Sequence, residues 1–418
     1  MKKLLLFLSI FTFHLSIFSL LCACSAKNVV DDSGKEGDPS LPSGLDESFG
    51  DDGGDVSPGE GAGGEGQGTA GRVTAGEWRD LDNWLFWSDL MTNTQFDQQG
   101  SDYTGYSDYW GFYTNHRVAV QVTDKDGNPR TDVPVKLVAA EGGSVLYEAR
   151  TDNNGRTNLW VGLTQRQNDV NQSGLALVVG DQRLEQPVSV TGWGEEVKWN
   201  TCQTASSDVK QFQIAFIVDA TGSMSDEIDF LKADLTNIIT TVRTRHDRAD
   251  IRTAALFYRD EGDDYLTRVS DFTSSLPETV SFIKEQNADG GGDYPEAVHT
   301  ALETGLQKLS WQEEGAVRLA FMLLDAPPHK RADVIASLRQ SIPMYAKLGI
   351  RIIPVAASGV DKPTEFFLRF ASIATDGTYV FITNHSGIGN DHMEATVGDY
   401  QVELLNELII RLIDRYMQ

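Results

Sequence analysis

The chain has 418 residues, of which 61 are Asp or Glu and 35 are Lys or Arg, so its formal net charge at pH 7 is −26. That length is more than one hydrophobic core usually takes, and several domains are expected. The acidic balance argues against a general nucleic-acid binder, which needs a basic face toward phosphates. It argues equally against adsorption to anionic lipid through a basic patch. Three cysteines are too few for a disulfide framework.

The first residues have the form of a secretory signal. Lys2 and Lys3 precede an apolar run from Leu4 to Leu21, as a charged n-region precedes an h-region. The tetrapeptide Leu21-Cys22-Ala23-Cys24 resembles a bacterial lipobox, which implies a signal peptide over residues 1–23 and a lipid on Cys24. Acyl chains would anchor the protein by hydrophobic transfer. The alternative is an uncleaved signal-anchor helix, and both interpretations place the remaining chain outside the cytoplasm.

A tether is expected over residues 24–75. Residues 25–75 contain 13 of the 39 glycines, with 11 acidic and 3 basic side chains. Such a composition buries too little apolar surface to offset the entropy of ordering. The acidic residues lack the fixed spacing of a calcium loop, so a self-repelling spacer is the preferred interpretation. An acidic stretch behind a lipid also resembles surface-export signals of some Gram-negative lipoproteins, which favours the outer membrane or the cell surface.

Two segments precede the C-terminal domain. Residues 76–112 are rich in aromatic side chains, which could stack on sugars but more often form a core or a seal against the next domain. Over residues 113–200, apolar residues alternate at period two between turns, as at Val118, Val120 and Val122, which predicts a β-sandwich. This stretch resembles carboxypeptidase-regulatory-like or bacterial Ig-like modules. The resemblance implies a spacer or binding module whose acidic turn residues serve turn geometry.

From residue 210 to 418 the pattern alternates between strand and helix. The run Phe212–Val218 is almost continuously apolar, as in a strand buried on both faces of a parallel sheet. Ser225 to about His246 has apolar residues at helical spacing, and further strands are predicted near 253–258, 318–324, 351–357 and 378–382, with an edge strand at 266–272. This predicts a doubly wound α/β domain after the β-sandwich module. In such sheets ligands bind beyond the carboxyl ends of the strands.

Three loops after predicted strands carry unusual residues. The first contains Asp219, Thr221 and Ser223, the second is the run 289–296 (Asp-Gly-Gly-Gly-Asp-Tyr-Pro-Glu), and the third begins with Asp325. A carboxylate and two hydroxyls that converge on one point form a hard oxygen set suited to Mg²⁺, Mn²⁺ or Ca²⁺. Glycines in the second loop permit close backbone approach.

These loops resemble those of von Willebrand factor type A domains. The sequence Asp219-x-Thr221-x-Ser223 matches the D-x-[ST]-x-S signature of their metal-ion-dependent adhesion site, or MIDAS. The resemblance implies that Thr221 and Ser223 bind a divalent cation directly, with Mg²⁺ preferred, and that Asp219 and Asp325 act mainly through water. It also implies a protein partner whose carboxylate completes the ion's shell. Many relatives have a threonine in the second loop where this chain has Asp293, which either binds the ion or lies behind its ligands.

Other interpretations of the same residues remain open. Asp219, Thr221 and Ser223 could only cap a helix, and Glu296 could sit in the first turn of a helix, where the dipole favours it. His329 is expected to pack or cap. Metal-assisted hydrolysis would need a general base near an open coordination site, for which Asp293 or His329 could be proposed, but nothing in the sequence singles out a substrate pocket.

The sequence therefore predicts a non-enzymatic, lipid-anchored cell-envelope protein that binds a protein partner through a divalent cation, in adhesion or assembly. The alternative functions are a scaffolding component with a purely structural metal site and a metal-assisted hydrolase. Once Cys22 has left with the signal peptide and Cys24 carries lipid, Cys202 is expected to be a free or buried thiol.

Overall fold

The computed structural model describes residues 70–92, 103–166, 170–204, 209–387 and 392–418. The predicted signal peptide, Cys24 and most of the tether 24–75 lie outside these ranges. The described residues all belong to one unit of the chain, Gly64–Gln418. None of the helices within the described ranges is both long enough and apolar enough to span a bilayer.

Strands alternate with helices along the C-terminal half, whereas strands dominate residues 117–203. The strands are β1 Thr74–Trp78, β2 Arg117–Thr123, β3 Pro134–Ala139, β4 Val145–Arg150, β5 Arg156–Trp160, β6 Leu175–Val179, β7 Gln182–Arg183, β8 Trp199–Gln203, β9 Gln211–Asp219, β10 Asp250–Tyr258, β11 Thr267–Thr273, β12 Ala316–Leu324, β13 Ile350–Ala356, β14 Tyr379–Thr383 and β15 Glu403–Leu404. The helices are α1 Trp84–Thr92, α2 Tyr103–Trp110, α3 Ile228–Arg245, α4 Leu276–Lys284, α5 Val298–Lys308, α6 Ala332–Lys347, α7 Lys362–Ala374 and α8 Leu405–Met417.

An eight-stranded mixed sheet organises the C-terminal half, in the order β11-β10-β9-β12-β13-β14-β1-β15. Strands β10, β9, β12, β13 and β14 are parallel, while β11 and β1 pair antiparallel with their neighbours. All nine residues of β12 are buried, since helices cover both faces of a parallel sheet. The sheet confirms the predicted α/β domain.

Two helical layers cover this sheet. Helices α3 and α8 share one hydrophobic cluster with β9 and β12, and α5, α6 and α7 contribute to a second cluster. In α3 the apolar positions at helical spacing are the buried ones, including Leu231, Leu235 and Ile238. The periodicity that predicted this helix therefore also determines which side of it faces the sheet.

Strand β1 joins the large sheet from a distant part of the sequence. Thr74 pairs with Thr383 and Trp78 with Tyr379 in antiparallel register, and β15 pairs with the other edge of β1. The sequence analysis predicted no strand here, and assigned residues 74–75 to the tether and residues 76–78 to the aromatic-rich segment. The C-terminal sheet thus includes a strand that precedes residue 210 by more than a hundred positions.

Residues 117–203 form two small sheets, ordered β5-β2-β8 and β4-β3-β6-β7. We call these residues the β module. Their acidic turns have the expected structural role, because Asp124 accepts hydrogen bonds from the backbone N–H groups of Asp126 and Asn128. Classification of the module as a β-sandwich stays a prediction, as do the domain boundaries. Cys202, in β8, is a free, half-buried thiol, and burial raises its pKa to about 11.

Most rings of the aromatic-rich segment are core residues. Trp87 is fully buried and lies parallel to Phe366 of α7 with 5.7 Å between ring centroids, and Phe112 stacks on Phe370 at 4.1 Å. Phe96 lies outside the described residues. In the described part, this segment seals α7 rather than presenting a row of exposed rings for sugars.

Candidate functional site

The carboxyl ends of two neighbouring parallel strands bring the first and third loops together. Val218 in β9 is in register with Leu323 in β12. Asp219 ends β9, and Asp325 directly follows β12, so both carboxylates lie at the same edge of the sheet. Both are buried, with exposures of 0% and 4%.

Hydrogen bonds connect Asp219, Thr221 and Ser223. Oδ1 of Asp219 accepts from the backbone N–H of Thr221 at 2.9 Å and from its hydroxyl at 2.7 Å. The Thr221 hydroxyl lies 3.2 Å from that of Ser223, which is exposed. Thr221 makes no side-chain capping bond to the 3-10 helix Gly222–Asp226 that follows it. Simple helix capping therefore does not explain the threonine.

The second loop packs its glycines against the first. The N–H of Gly222 donates to the carbonyl of Gly290 at 3.1 Å, and a Cβ on Gly222 would lie only 2.8 Å from that oxygen. Gly290 and Gly291 have φ of +79° and +74°, which side chains disfavour. The close backbone approach expected of these glycines is present. Asp293, in contrast to the buried carboxylates, is exposed.

Glu296 is the residue that sequence reasoning missed. It was expected in the first turn of a helix, but α5 begins at Val298, and Glu296 forms a β-bridge with Pro328 in the third loop. Its side chain is 2% exposed, and its Oε1 would lie 3.1 Å from a Cβ on Gly291. Glu296 therefore lies among all three loops. In the sequence, only the Pro-Glu pair at the end of the second loop could have indicated that Glu296 belongs to the site.

The buried carboxylates raise one another's pKa. Burial, followed by the charge of Asp260, raises the pKa of Asp219 to about 6, although hydrogen bonds from Thr221 oppose the rise. Burial and the charge of Asp219 raise the pKa of Asp325 to about 7, against a contact with the Ser223 hydroxyl. Burial and four nearby carboxylates, led by Asp219, raise the pKa of Glu296 to about 9. The site thus gathers carboxyl groups whose ionised forms its own residues do not stabilise.

An open pocket of about 490 Å³ lies over these residues. Its lining includes Ser223, Asp293, Tyr294, Glu296 and Asp325. The pocket gives solvent and a partner access to the Ser223 hydroxyl and to one side of Asp325. Of the five predicted metal residues, Ser223, Asp293 and Asp325 line the pocket. Asp219 and Thr221 are connected to Ser223 by hydrogen bonds.

The donor set fits a hard divalent cation. Three buried carboxylate oxygens have no hydrogen-bond partner of good geometry, namely Oδ2 of Asp219, Oδ1 of Asp325 and Oε2 of Glu296. The hydroxyls of Tyr258 and Ser223 lie near Asp219 and Asp325, respectively, and lower their pKa. Such orphaned oxygens are costly unless a cation or water satisfies them. No three His, Cys, Asp or Glu side chains in the described ranges are arranged as a ready metal cluster. A cation here would therefore depend on the two hydroxyls and on water as well as on carboxylates.

His329 does not join this set. Its Nε2 lies 2.7 Å from Oδ1 of Asp260, and Arg331 pairs with Glu261 nearby. The histidine accordingly has a packing and pairing role, as expected. The Ser223 hydroxyl lies beside that of Thr221 and contacts the carboxylate of Asp325, not His329.

A family comparison agrees with these loops. Residues 213–342 match the family model described as the von Willebrand factor A domain. The matched stretch contains Asp219, Thr221, Ser223, Asp293 and Asp325. The match supports a von Willebrand factor A domain in this part of the chain, which contains most of β9, strands β10 to β12 and the three loops.

Comparisons with individual proteins are more distant. The chain is 31% identical over 120 residues to a putative ariadne-like RING finger protein of Acanthamoeba polyphaga mimivirus, covering 29% of this chain and 11% of that protein. It is 32% identical over 118 residues to an alpha-protein kinase, vwkA, of Dictyostelium discoideum, covering 28% of this chain and 18% of the kinase. The chain thus spans less than a fifth of either curated relative.

A solved protein structure resembles about half of this chain. It is a conserved hypothetical protein, BatB, from Bacteroides thetaiotaomicron, with 10% sequence identity and a TM-score of 0.33. The alignment covers 49% of this chain and 98% of that one. A TM-score this low does not establish a common fold.

Proposed function

We propose that this von Willebrand factor A domain binds a protein partner through a divalent cation, in an adhesion or assembly role. The observation that carries the proposal is the set of buried, unpartnered carboxylate oxygens on Asp219 and Asp325 next to the hydroxyls of Thr221 and Ser223. The role of a carboxylate from the partner follows from the resemblance to the adhesion site. Von Willebrand factor A domains generally serve as interaction modules, which agrees with a non-enzymatic function.

Charge supports a cation at this place. Asp219, Asp325 and Glu296 each have a raised pKa, because burying several carboxylates together disfavours their ionised forms. A divalent cation would stabilise those forms, and oxygen donors favour Mg²⁺, with Mn²⁺ or Ca²⁺ as alternatives. Thr221 and Ser223 would hold the ion, which would supply a Lewis-acidic contact for an acidic partner group.

A structural metal site is the second candidate, and Glu296 favours it. If Glu296 and Asp293 both face the ion, the protein neutralises more of its charge, and the ion attracts a partner's carboxylate less strongly. Calorimetric Mg²⁺ titrations of Asp293→Ala and Glu296→Gln would distinguish the candidates. Weaker Mg²⁺ binding in both variants, without any loss of partner binding, would favour the structural role.

The proposed location is the cell envelope, with a lipid on Cys24 anchoring the chain to the outer membrane or the cell surface. The support is the charged n-region, the apolar run and the lipobox-like Leu21-Cys22-Ala23-Cys24. Labelling with a radioactive fatty acid in a bacterial host should mark the wild type and leave Cys24→Ser unlabelled. Protease treatment of intact cells would then report on surface exposure, and a protected chain would contradict it.

The central test is a pulldown from envelope extract with the wild-type chain, Thr221→Ala and Thr240→Ala. Thr240 lies exposed on α3 and provides the same substitution away from the site. We expect a partner that the wild type and Thr240→Ala retain in Mg²⁺ and that EDTA or Thr221→Ala releases. A partner bound equally in EDTA would refute the cation-bridged mechanism.

A further inference from the structure

The pocket over the cation site has one accessible aromatic side chain in its lining. Tyr294 lines the pocket together with Asp325 and Glu296, and its ring is 42% exposed. Its hydroxyl donates to the carbonyl of Gly359 and accepts from the N–H of Asp361, both at 3.0 Å. These two bonds tie the ring to the loop after β13, so its position is set before a partner arrives. Tyr294 therefore presents a fixed aromatic face to whatever enters the pocket.

Two exposed carboxylates flank this ring. Asp293 precedes Tyr294 in the chain and also lines the pocket, whereas Asp361 contacts the Tyr294 hydroxyl through its backbone N–H. The Asp361 side chain caps α7 by accepting from the N–H of Thr364 at 2.9 Å. Within the described ranges neither Asp293 nor Asp361 forms an ion pair. Both charges therefore stand uncompensated beside an aromatic face.

The basic side chains of the loops at this edge contact other groups. Arg259 approaches Asp289 at 3.8 Å, Arg331 pairs with Glu261 and Asp333, Lys362 pairs with Glu365, and Lys330 packs on the ring of Tyr109. The acidic loop after β10 is likewise engaged, because His329 lies 2.7 Å from Asp260. The charges of Asp293 and Asp361 thus favour a positive group that comes from outside the chain.

The pocket also carries a separate sign that it receives a ligand. Asp325 and Glu296 each have a buried carboxylate oxygen without a hydrogen-bond partner of good geometry. With a cation at these oxygens, one carboxylate of a partner can complete its shell, but further carboxylates would meet Asp293 and Asp361. An ammonium or guanidinium over Tyr294 would instead be attracted by the ring and by both aspartates. A uniformly acidic partner therefore fits this pocket poorly.

We propose that the partner carries a Lys or Arg side chain beside the carboxylate that completes the cation's shell, and that this base lies over Tyr294 against Asp293 and Asp361. This inference rests on the proposed function and adds the partner's charge pattern to it. The ion selects the carboxylate, while the ring and the two aspartates select the base. Asp361 lies outside residues 213–342, so this selectivity involves a part of the chain beyond the family match.

The test measures the binding of three capped, fluorescent peptides to the full chain. One has four Lys-Glu repeats, the second has four Gln-Glu repeats and the third has four Lys-Gln repeats. In Mg²⁺ we expect fluorescence anisotropy to show about fivefold tighter binding of the Lys-Glu peptide than of the Gln-Glu peptide, as for one exposed charge pair and one cation–π contact. The Lys-Gln peptide should bind weakly because it has no carboxylate for the ion, and EDTA should release the Lys-Glu peptide.

Asp361→Asn is the decisive variant. It removes one carboxylate and keeps the helix cap, since asparagine is also favoured at that position. We expect the preference for the Lys-Glu peptide to fall to about twofold, and Tyr294→Leu should reduce it similarly. Asp247→Asn is the matched control, because Asp247 is exposed between α3 and β10, at the opposite edge of the sheet. Calorimetric Mg²⁺ titration of each variant checks that the ion is still bound.

The preference for lysine must depend on Asp361 itself. Equal losses in Asp361→Asn and Asp247→Asn would show only long-range charge and would overturn the inference, as would a wild type that binds the Lys-Glu and Gln-Glu peptides equally or binds neither. If EDTA releases both peptides but lysine adds nothing, the cation-bridged function stands and this inference fails. If the Asp361-dependent preference persists and binding is equal in EDTA, the cation-bridged function fails while the basic contact stands.

Discussion

The guanidinium of Arg318 in β12 donates a hydrogen bond to the carboxylate of Asp132 in the β module, with 2.8 Å between Nη1 and Oδ1. Both side chains are buried. Arg150 donates to the same carboxylate at 2.6 Å, as does the backbone N–H of Gly315. Although burial opposes ionisation, these two arginines hold the pKa of Asp132 below its usual range. One carboxylate therefore joins the module to the central strand of the α/β domain.

Loss of that carboxylate should destabilise both parts together. Asp132→Ala leaves two buried arginine contacts uncompensated, and we expect a loss of about 3 to 5 kcal/mol in the free energy of unfolding. Asp126→Ala, at an exposed turn of the same module, should change it by less than about 0.5 kcal/mol. Urea titration followed by tryptophan fluorescence measures both. Two separate unfolding transitions, of which Asp132→Ala shifts only that of the β module, would show that the two parts unfold independently.

Removing one charge from the cation site should have opposite effects with and without metal. The folded-state pKa of Asp325 is about 7, above its ordinary value of 3.8. The stability contributed by the protonated carboxyl is therefore lost as the pH rises from that ordinary value through about 7, and above pH 7 the loss is complete. In EDTA at pH 8, Asp325→Asn should therefore be more stable than the wild type by roughly 2 to 4 kcal/mol.

In Mg²⁺ the order should reverse. Saturation at about 1,000 times the dissociation constant adds about 4.1 kcal/mol to the wild type, which exceeds its deficit in EDTA, and Asp325→Asn should gain much less. Thermal melts of the wild type and of Asp325→Asn, each with Mg²⁺ and with EDTA, measure the four stabilities. An equal Mg²⁺ effect on both proteins would place the ion elsewhere.

Because of Asp234 on α3, we expect the free energy of unfolding to depend on pH independently of the cation site. It is buried, accepts from the N–H of Gly71 at 2.7 Å, and burial raises its pKa to about 6. Because the folded state holds the proton more tightly than the unfolded state, the stability contributed by protonated Asp234 is lost as the pH rises through about 6. Asp234→Asn keeps the acceptor, so it should stabilise the chain by about 2 to 3 kcal/mol at pH 8 and progressively less toward pH 4.

Melting temperatures between pH 4.5 and 8 test this dependence. Asp247→Asn serves as the control, since Asp247 is exposed just beyond the end of the same helix. A gain for Asp234→Asn that stays constant with pH would contradict the assignment.

The aromatic-rich segment should be essential for stability. Trp87 is fully buried against Phe366 and donates from Nε1 to the Thr114 hydroxyl at 2.8 Å. Trp87→Ala should cost about 3 to 5 kcal/mol. Leu85→Ala, on the same helix but 52% exposed, should cost far less. Unfolding in guanidinium chloride measures the free energy of unfolding of both variants. Similar losses in Trp87→Ala and Leu85→Ala would mean that the segment does not form part of the core.

The strands and loops of the α/β domain could be predicted because their signals are local. The runs in β9 and β12 are apolar throughout, and the glycines at 290 and 291 have the positive φ that only glycine adopts freely. The convergence of Asp219 and Asp325 follows from parallel pairing alone. These features depend on neighbouring residues and on general sheet geometry.

Two features could not be predicted because they depend on distant parts of the chain. Strand β1 has little apolar pattern of its own, and its place is fixed by pairing with Tyr379–Thr383. Glu296 resembles an ordinary residue at a helix start until its bridge to Pro328 is known. Its burial among like charges is a property of the assembled loops and not of its neighbours in sequence.

The pairing of β1 also constrains the order of folding. During synthesis, residues 74–78 emerge about three hundred residues before Tyr379–Thr383, with which they pair. Contacts so far apart in sequence form late and slow folding. Until the ribosome has finished the C-terminal strands, the nascent chain exposes an unpaired strand. A fragment that starts at residue 210 lacks β1, leaves the edge of β14 open, and should aggregate where the longer chain does not.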